Sequence, residues 1–232
     1  EKALGGSKEE AIQMEEAIRK AGVRFGIGFQ VYYAEGVQLL AKYAQEGKFG
    51  YPMFAHADEI AEVRPKPIMH DARGNQGPIM DVCCHTFMNW QTIFNSKPKS
   101  VYARGAVLAK NRPEIAHIEE LAIDTAVITV EYESGDIGSM TVSWGAAAKT
   151  KMRGRPFRIF GPKGGAEGRL AASLSVYEGE TMEEMKFEPA DLHMVQFTRF
   201  ADCIERGEEA PVGIKQAKEI LALTLAVFQS IE

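Results

Sequence analysis

The sequence has no run approaching the roughly 18 consecutive apolar residues that a membrane span needs, so no membrane partner is expected. It is also poor in cysteine. Cys83, Cys84 and Cys203 form an odd set without regular spacing, which excludes a disulfide framework, and the adjacent Cys83 and Cys84 would make a strained pair. Reduced thiols in the cytoplasm are the simplest account. The sequence opens Glu-Lys-Ala without an initiator Met, so any leader lies out of view. Strong charge of either sign is missing as well. With 27 basic and 32 acidic residues the net charge is −5, which argues against a nucleic-acid partner. Residues 149–158 are locally basic, but Gly154 and Pro156 interrupt them, and they read as a solvated loop. Neither C-x-x-C nor H-x-x-x-H spacing occurs, so the grouping of Cys83, Cys84 and His85 with His70 is a weak case for zinc. Gly161-Pro-Lys-Gly-Gly-Ala-Glu-Gly168 matches neither G-x-G-x-x-G nor the Walker A loop, and reads as a glycine-rich turn after a strand. His56, His117 and His193 have no constellation around them.

What is present is ordinary globular composition, 45% hydrophobic and 25% charged over 232 residues, enough for one large domain or a domain plus part of another. Ser7-Lys-Glu-Glu10 is a capping box. Behind it Ala11, Met14, Ile18 and Ala21 share a helical face, and Gly22 is placed to end the helix. Val23, Phe25, Ile27 and Phe29 then alternate with Arg24, Gly26 and Gly28, as a strand does. Residues 1–30 thus read as loop, helix and strand, one unit of a parallel α/β sheet whose neighbours are not in these residues. A second helix is expected over 34–46. Strands follow at 51–60, 100–108, 122–132, 137–144 and 157–160, with Glu133-Ser-Gly-Asp136 as a hairpin turn. Two helices close the chain. One, over 192–205, has Met194, Phe197, Ala201 and Ile204 on one stripe. The other, over 214–231, is apolar nearly all round from Ile220 and is expected to be buried. The fold class is α+β: residues 31–232 form a large, open, mostly antiparallel sheet with helices on one face.

Two places could carry chemistry. Lys2 precedes a capped helix, where open α/β sheets build their sites; taken alone, a lysine there is a solvated charge. Gly74-Asn-Gln-Gly77-Pro-Ile-Met-Asp81-Val-Cys-Cys-His85 turns apolar from Pro78, as a buried helix does. Asp81 and His85, four apart, fall on one face. A carboxylate can orient an imidazole that exchanges a proton with a substrate hydroxyl. The same spacing also suits a purely structural Asp–His pair.

Taken in order, these segments resemble the glucose–fructose oxidoreductase/inositol dehydrogenase/rhizopine-catabolism (Gfo/Idh/MocA) family. Glu1-Lys2-Ala3 is similar to its Glu-Lys-Pro motif. Gly28-Phe29 and the following helix with its Glu-Gly-Lys-Phe-Gly ending resemble its interdomain segment. Gly77 to His85 resembles its Gly-x-x-x-Asp-x-x-x-His helix, and Phe157-Arg-Ile-Phe-Gly161 and residues 197–207 also fit. The resemblance implies an N-terminal Rossmann domain ahead of residue 1, with residues 1–30 as its remnant, and a dihydrodipicolinate reductase-like C-terminal domain for substrate binding and oligomerisation. It implies NAD or NADP, bound mainly by the missing domain with Glu1 and Lys2 at its edge, and hydride transfer to or from a sugar, polyol or inositol-like small molecule. By the same resemblance Lys2 and His85 relay the proton, Asp81 supports them, Tyr32 joins Lys2, Asp81 and His85 in binding substrate, and the protein pairs through its sheet as a homodimer or homotetramer. Ala3, Tyr32, Cys83 and Met88 depart from the family's usual proline, arginine, glycine and aspartate. A non-catalytic binding or oligomerisation domain, and a nicotinamide-using glycosidase, are the competing readings.

Overall fold

The computed structural model describes residues 2–147, 149 and 156–232; most of the basic 149–158 segment, and Glu1, lie outside them. The core is an eight-stranded sheet in the order β2-β3-β4-β1-β5-β6-β7-β8. The strands are β1 (Phe54–Glu62), β2 (Pro98–Ala106), β3 (Thr125–Tyr132), β4 (Ile137–Ala146), β5 (Phe157–Gly161), β6 (Gly164–Arg169), β7 (Ser173–Glu178) and β8 (Thr181–Lys186). Among the described residues only β1 and β4 pair in parallel; every other ladder is antiparallel. The large, mostly antiparallel open sheet is therefore the one the sequence predicts.

Alternation along the strands sorts the two faces. Ala55, Ala57, Ala126, Ile128, Val130, Met140, Val142, Phe157 and Ile159 are buried beneath the helices. Opposite partners in the ladders put Tyr102, Val127, Phe160 and Tyr177 together on the other, open face, where all four are exposed.

Among the described residues five α-helices accompany the sheet. In α1 (Lys8–Ala21) the Ser7 hydroxyl accepts the Glu10 N–H at 3.2 Å, and Gly22 closes the helix at φ 62. The Glu10 carboxylate accepts the N–H of Gly6. Helix α2 (Glu35–Gln45) buries Val37, Leu40, Ala41 and Ala44. Helix α5 (Ile214–Ile231) buries Ile220, Leu221, Leu223 and Val227, and its Ser230 hydroxyl accepts the Ala103 N–H of β2 at 2.9 Å.

Two expectations are corrected. Residues 23–29 form no strand: Ile27 N–H reaches Val212 O at 3.1 Å, and no ladder partner lies beside the segment among the described residues. A strand pattern without a neighbouring edge stays an extended connection. The glycine-rich stretch from Gly161 is no mere turn, because β6 runs through it and β7 and β8 follow. The apolar stripe of α4 (Leu192–Arg206) faces solvent, with Met194, Phe197 and Ile204 at least half exposed.

Candidate active site

Between β1 and α3 (Cys84–Phe94) the chain crosses from the sheet to the helix layer by a pinned loop. His70 Nε2 accepts the Arg64 N–H at 2.9 Å, and Asp71 bridges to Leu121. Gly77 then turns into the helix at φ 74, where a Cβ would sit 2.7 Å from the Ile123 carbonyl oxygen. Both the left-handed backbone and the close approach require glycine there. Residues Ile79–Cys83 form a π-turn that runs straight into α3. The wider turn, a feature common at functional sites, sets where Asp81 points relative to His85.

Asp81 meets Lys2. Lys2 Nζ lies 2.6 Å from Asp81 Oδ1 and also donates to the Asp81 carbonyl oxygen. The two side chains are 15% and 26% exposed, so the pair is partly desolvated and stronger than a surface pair. Cys84 Sγ sits against the same carbonyl at 3.5 Å, and burial pushes its thiol up to about 12 despite the Lys2 charge. Complete burial pushes the Cys83 thiol well above its usual value as well. Both thiols stay protonated near neutral pH and have no nucleophilic role.

His85 is on the first turn of α3 with the edge of its ring against Phe29, centroids 5.8 Å apart. It lines a cavity of about 270 Å³ between α3, β1, β5 and the end of β6. That is at the small end of the ~300–1,000 Å³ typical of small-molecule sites. Lys2 opens into a neighbouring cavity of about 240 Å³ with Tyr33, His193, Gln196, Phe197 and Phe200. Asp81 therefore ties Lys2, which lines one hollow, to the helix whose His85 lines the other. The Asp81 carboxylate bonds Lys2.

Tyr32 stands apart. It belongs to a short 3₁₀ turn (Gln30–Tyr33) and faces a polar groove with Met88, Gln91 and Lys215; it is Val31 of that turn that lines the His85 cavity. Burial raises the Tyr32 and Tyr33 hydroxyls, the latter to about 12, so both remain neutral donors near neutral pH. Glu1 lies outside the described residues. The structure thus brings Lys2 to Asp81, sets His85 one turn beyond, and leaves Tyr32 elsewhere. Sequence reasoning missed Thr86 and Asn89, which line the His85 cavity and are almost fully buried. The signal was available, since Val82, His85, Thr86 and Asn89 recur at helical spacing.

Comparison with known proteins agrees with this geometry. The chain is 29% identical over 220 residues to an uncharacterised oxidoreductase, YrbE, from Bacillus subtilis; the match takes in 91% of the chain and spans 62% of that relative's length. Its fold is similar to the aldose-aldose oxidoreductase of Caulobacter crescentus, solved with glycerol, at a TM-score of 0.84 and 17% identity, over 99% of this chain and 68% of that one. It is also similar to the WlbA dehydrogenase of Bordetella pertussis, solved with NADH and UDP-GlcNAcA, at 0.77 and 22%, over 99% and 67% of the respective chains. Residues 37–167, more than half of the sequence, match the GFO/IDH/MocA C-terminal domain. The chain belongs to the Gfo/Idh/MocA oxidoreductase family, in the C-terminal domain of that family.

Proposed function

We propose that the chain is the substrate domain of an NAD(P)-dependent dehydrogenase that transfers hydride between nicotinamide and a sugar, polyol or inositol-like alcohol. The observation that carries this reading is the ion pair of Lys2 with Asp81 at the foot of the helix that bears His85. A lysine fixed by a carboxylate beside an imidazole-lined cavity is what alcohol oxidation asks of a protein that leaves the redox step to a cofactor.

The residues around Lys2 fit a nicotinamide. Gly26 and Gly28 present bare backbone to that hollow, Phe197 and Phe200 offer flat apolar walls, and Gln196 Oε1 is buried without a partner among the described residues. That orphaned acceptor suits a carboxamide N–H. Bound there, nicotinamide supplies the hydride acceptor. His85 takes the hydroxyl proton as the C–H bond breaks. Lys2, steadied by Asp81, donates a hydrogen bond to the substrate oxygen as it becomes a carbonyl. With only the ring's edge held here, the rest of the dinucleotide belongs to an N-terminal Rossmann domain, of which residues 1–30 form the last unit. The exposed apolar residues Met14, Val23, Met194, Phe197 and Ile204 are the kind of surface such a neighbour covers.

The open sheet face, with Tyr102, Val127, Phe160 and Tyr177 exposed, supports pairing of two copies sheet to sheet. Three buried free thiols suit a reducing, cytoplasmic setting, and no helix of the described residues is long and apolar enough to cross a membrane. The test is the full-length protein with NAD and NADP against a panel of aldoses, polyols and inositols, read by nicotinamide absorbance. Turnover of at least one with Lys2 intact, and its loss in Lys2→Met, is the expected result. Turnover that survives Lys2→Met would overturn the reading.

A further inference from the structure

The stripe of α3 that faces the sheet is composed oddly. Val82, His85, Thr86 and Asn89 line one cavity, at spacings that put them on one helical face. A helix face packed on a sheet ordinarily buries apolar side chains, and the helix's other inward residues, Phe87, Trp90, Ile93 and Phe94, conform. Thr86 and Asn89 do not. They are 5% and 3% exposed, and Asn89 Oδ1 has no hydrogen-bond partner among the described residues. A buried acceptor left unpaired costs stability comparable to a lost hydrogen bond, and a leucine of nearly the same shape would avoid that cost.

We infer that Asn89, assisted by Thr86, is a specificity-determining site that binds a second polar substituent of the substrate, one turn deeper than the reacting carbon held at His85. The inference rests on the dehydrogenase reading for the identity of the reacting group, but not for the existence of the site. Four residues of helix advance by about 6 Å, roughly the span between substituents on opposite sides of a six-membered sugar or cyclitol ring. Asn89 Oδ1 is an acceptor, so the group it takes is a donor: a ring hydroxyl or an N–H. Asp58, Glu59 and Arg169 line the same cavity, so its wall offers charge of both signs to a polyhydroxylated, uncharged ring. The cavity, about 270 Å³, has room for one ring.

The experiment compares Asn89→Leu with the parent in the full-length protein. D-glucose, D-galactose and myo-inositol serve as probes, each beside its monodeoxy analogues. A neutral hydrogen bond is worth up to about tenfold in binding. The parent is therefore expected to lose about tenfold in kcat/KM on the analogue that lacks the bound hydroxyl. Asn89→Leu should lose the same factor on the complete substrate, chiefly through KM, and nothing further on that analogue. Losses that multiply would mean that the hydroxyl and Asn89 act independently, and would overturn the inference. A second arm needs no turnover. Because Oδ1 has no hydrogen-bond partner among the described residues, Asn89→Leu should melt at or above the parent's Tm; a Tm several degrees lower would make Asn89 a structural residue and sink the proposal. If no probe reduces the cofactor, the dehydrogenase reading fails by itself, while the melting comparison still decides the role of Asn89.

Discussion

The Lys2–Asp81 pair ties the N-terminal residues to the helix layer, and its strength can be measured without substrate. Lys2→Met keeps most of the aliphatic stem that packs at the site and removes the charge. Asp81→Asn keeps the shape and removes the opposite charge. An exposed ion pair contributes about 0–1 kcal/mol, and breaking a fully buried one costs about 3–5 kcal/mol. Lys2 and Asp81 are 15% and 26% exposed at 2.6 Å, between these limits but nearer the buried end, so a coupling of about 1–2 kcal/mol is expected. A double-mutant cycle from urea denaturation of the chain supplies the number. Either single variant should be less stable than the parent, and the double variant less destabilised than the sum of the two. Additivity within about 0.5 kcal/mol would mean that the pair does not hold Lys2 in place, and would refute the reasoning.

Other outcomes follow from features outside the site. His70 is 2% exposed and accepts the Arg64 N–H; burial lowers its pKa from 6.5. The unfolded chain therefore binds this proton first, and stability should fall as pH drops below about 6.5. His70→Gln, which keeps an acceptor for Arg64, should flatten that fall in melts taken between pH 7 and pH 5. Gly138 of β4 lies under the Trp90 ring, where a Cβ would come within 2.5 Å of Cε3. Gly138→Ala should cost about 1–3 kcal/mol by overpacking, seen as a lower urea midpoint. On the open sheet face, Val127→Lys combined with Phe160→Lys should shift the full-length protein to smaller species in light scattering, while the melting temperature of the isolated sheet domain changes little.

The sequence was most readable where one periodicity ruled. Helix α1 begins after Ser7 and ends at Gly22 because cap and stop residues act locally, and α5 reads as buried because its apolar residues run all round. Strands β1 to β5 show alternation and were expected within a few residues of their observed bounds. The edge from β6 to β8 was hidden for two reasons. Gly164, Gly165 and Gly168 depress strand propensity, yet a Cβ at Gly164 would stand 2.3 Å from the Tyr177 carbonyl oxygen, so the ladder itself demands glycine. Strand β8, Thr-Met-Glu-Glu-Met-Lys, is largely exposed and has no inward apolar row. The segment 23–29 misled in the opposite sense, since an apolar pattern reports that a surface is meant to be covered without saying by which partner.

For the candidate site, Lys2, Asp81 and His85 were singled out from their order in the sequence, but the bond between Lys2 and Asp81 was not foreseen. The four-residue spacing placed Asp81 and His85 on one helical face, on the assumption of a regular α-helix. Residues Ile79–Cys83 form a π-turn instead, and nothing in the local sequence announces it. Thr86 and Asn89 lay within an apolar helix where polar side chains are conspicuous, but their meaning depends on the cavity, which only the packing of α3 over β1 and β5 creates.

The most direct measurement is single-turnover hydride transfer in the full-length protein, comparing the parent with His85→Ala under saturating cofactor and substrate. A positioned acid/base group typically contributes about 10²–10⁴-fold. The transfer rate should therefore fall by at least about 10²-fold, with cofactor affinity nearly unchanged because His85 lines a cavity separate from that of Lys2. A rate that stays within about threefold of the parent, well below the range for a proton-transfer group, would contradict the assignment of His85 and the α3 cavity as the place where the substrate reacts.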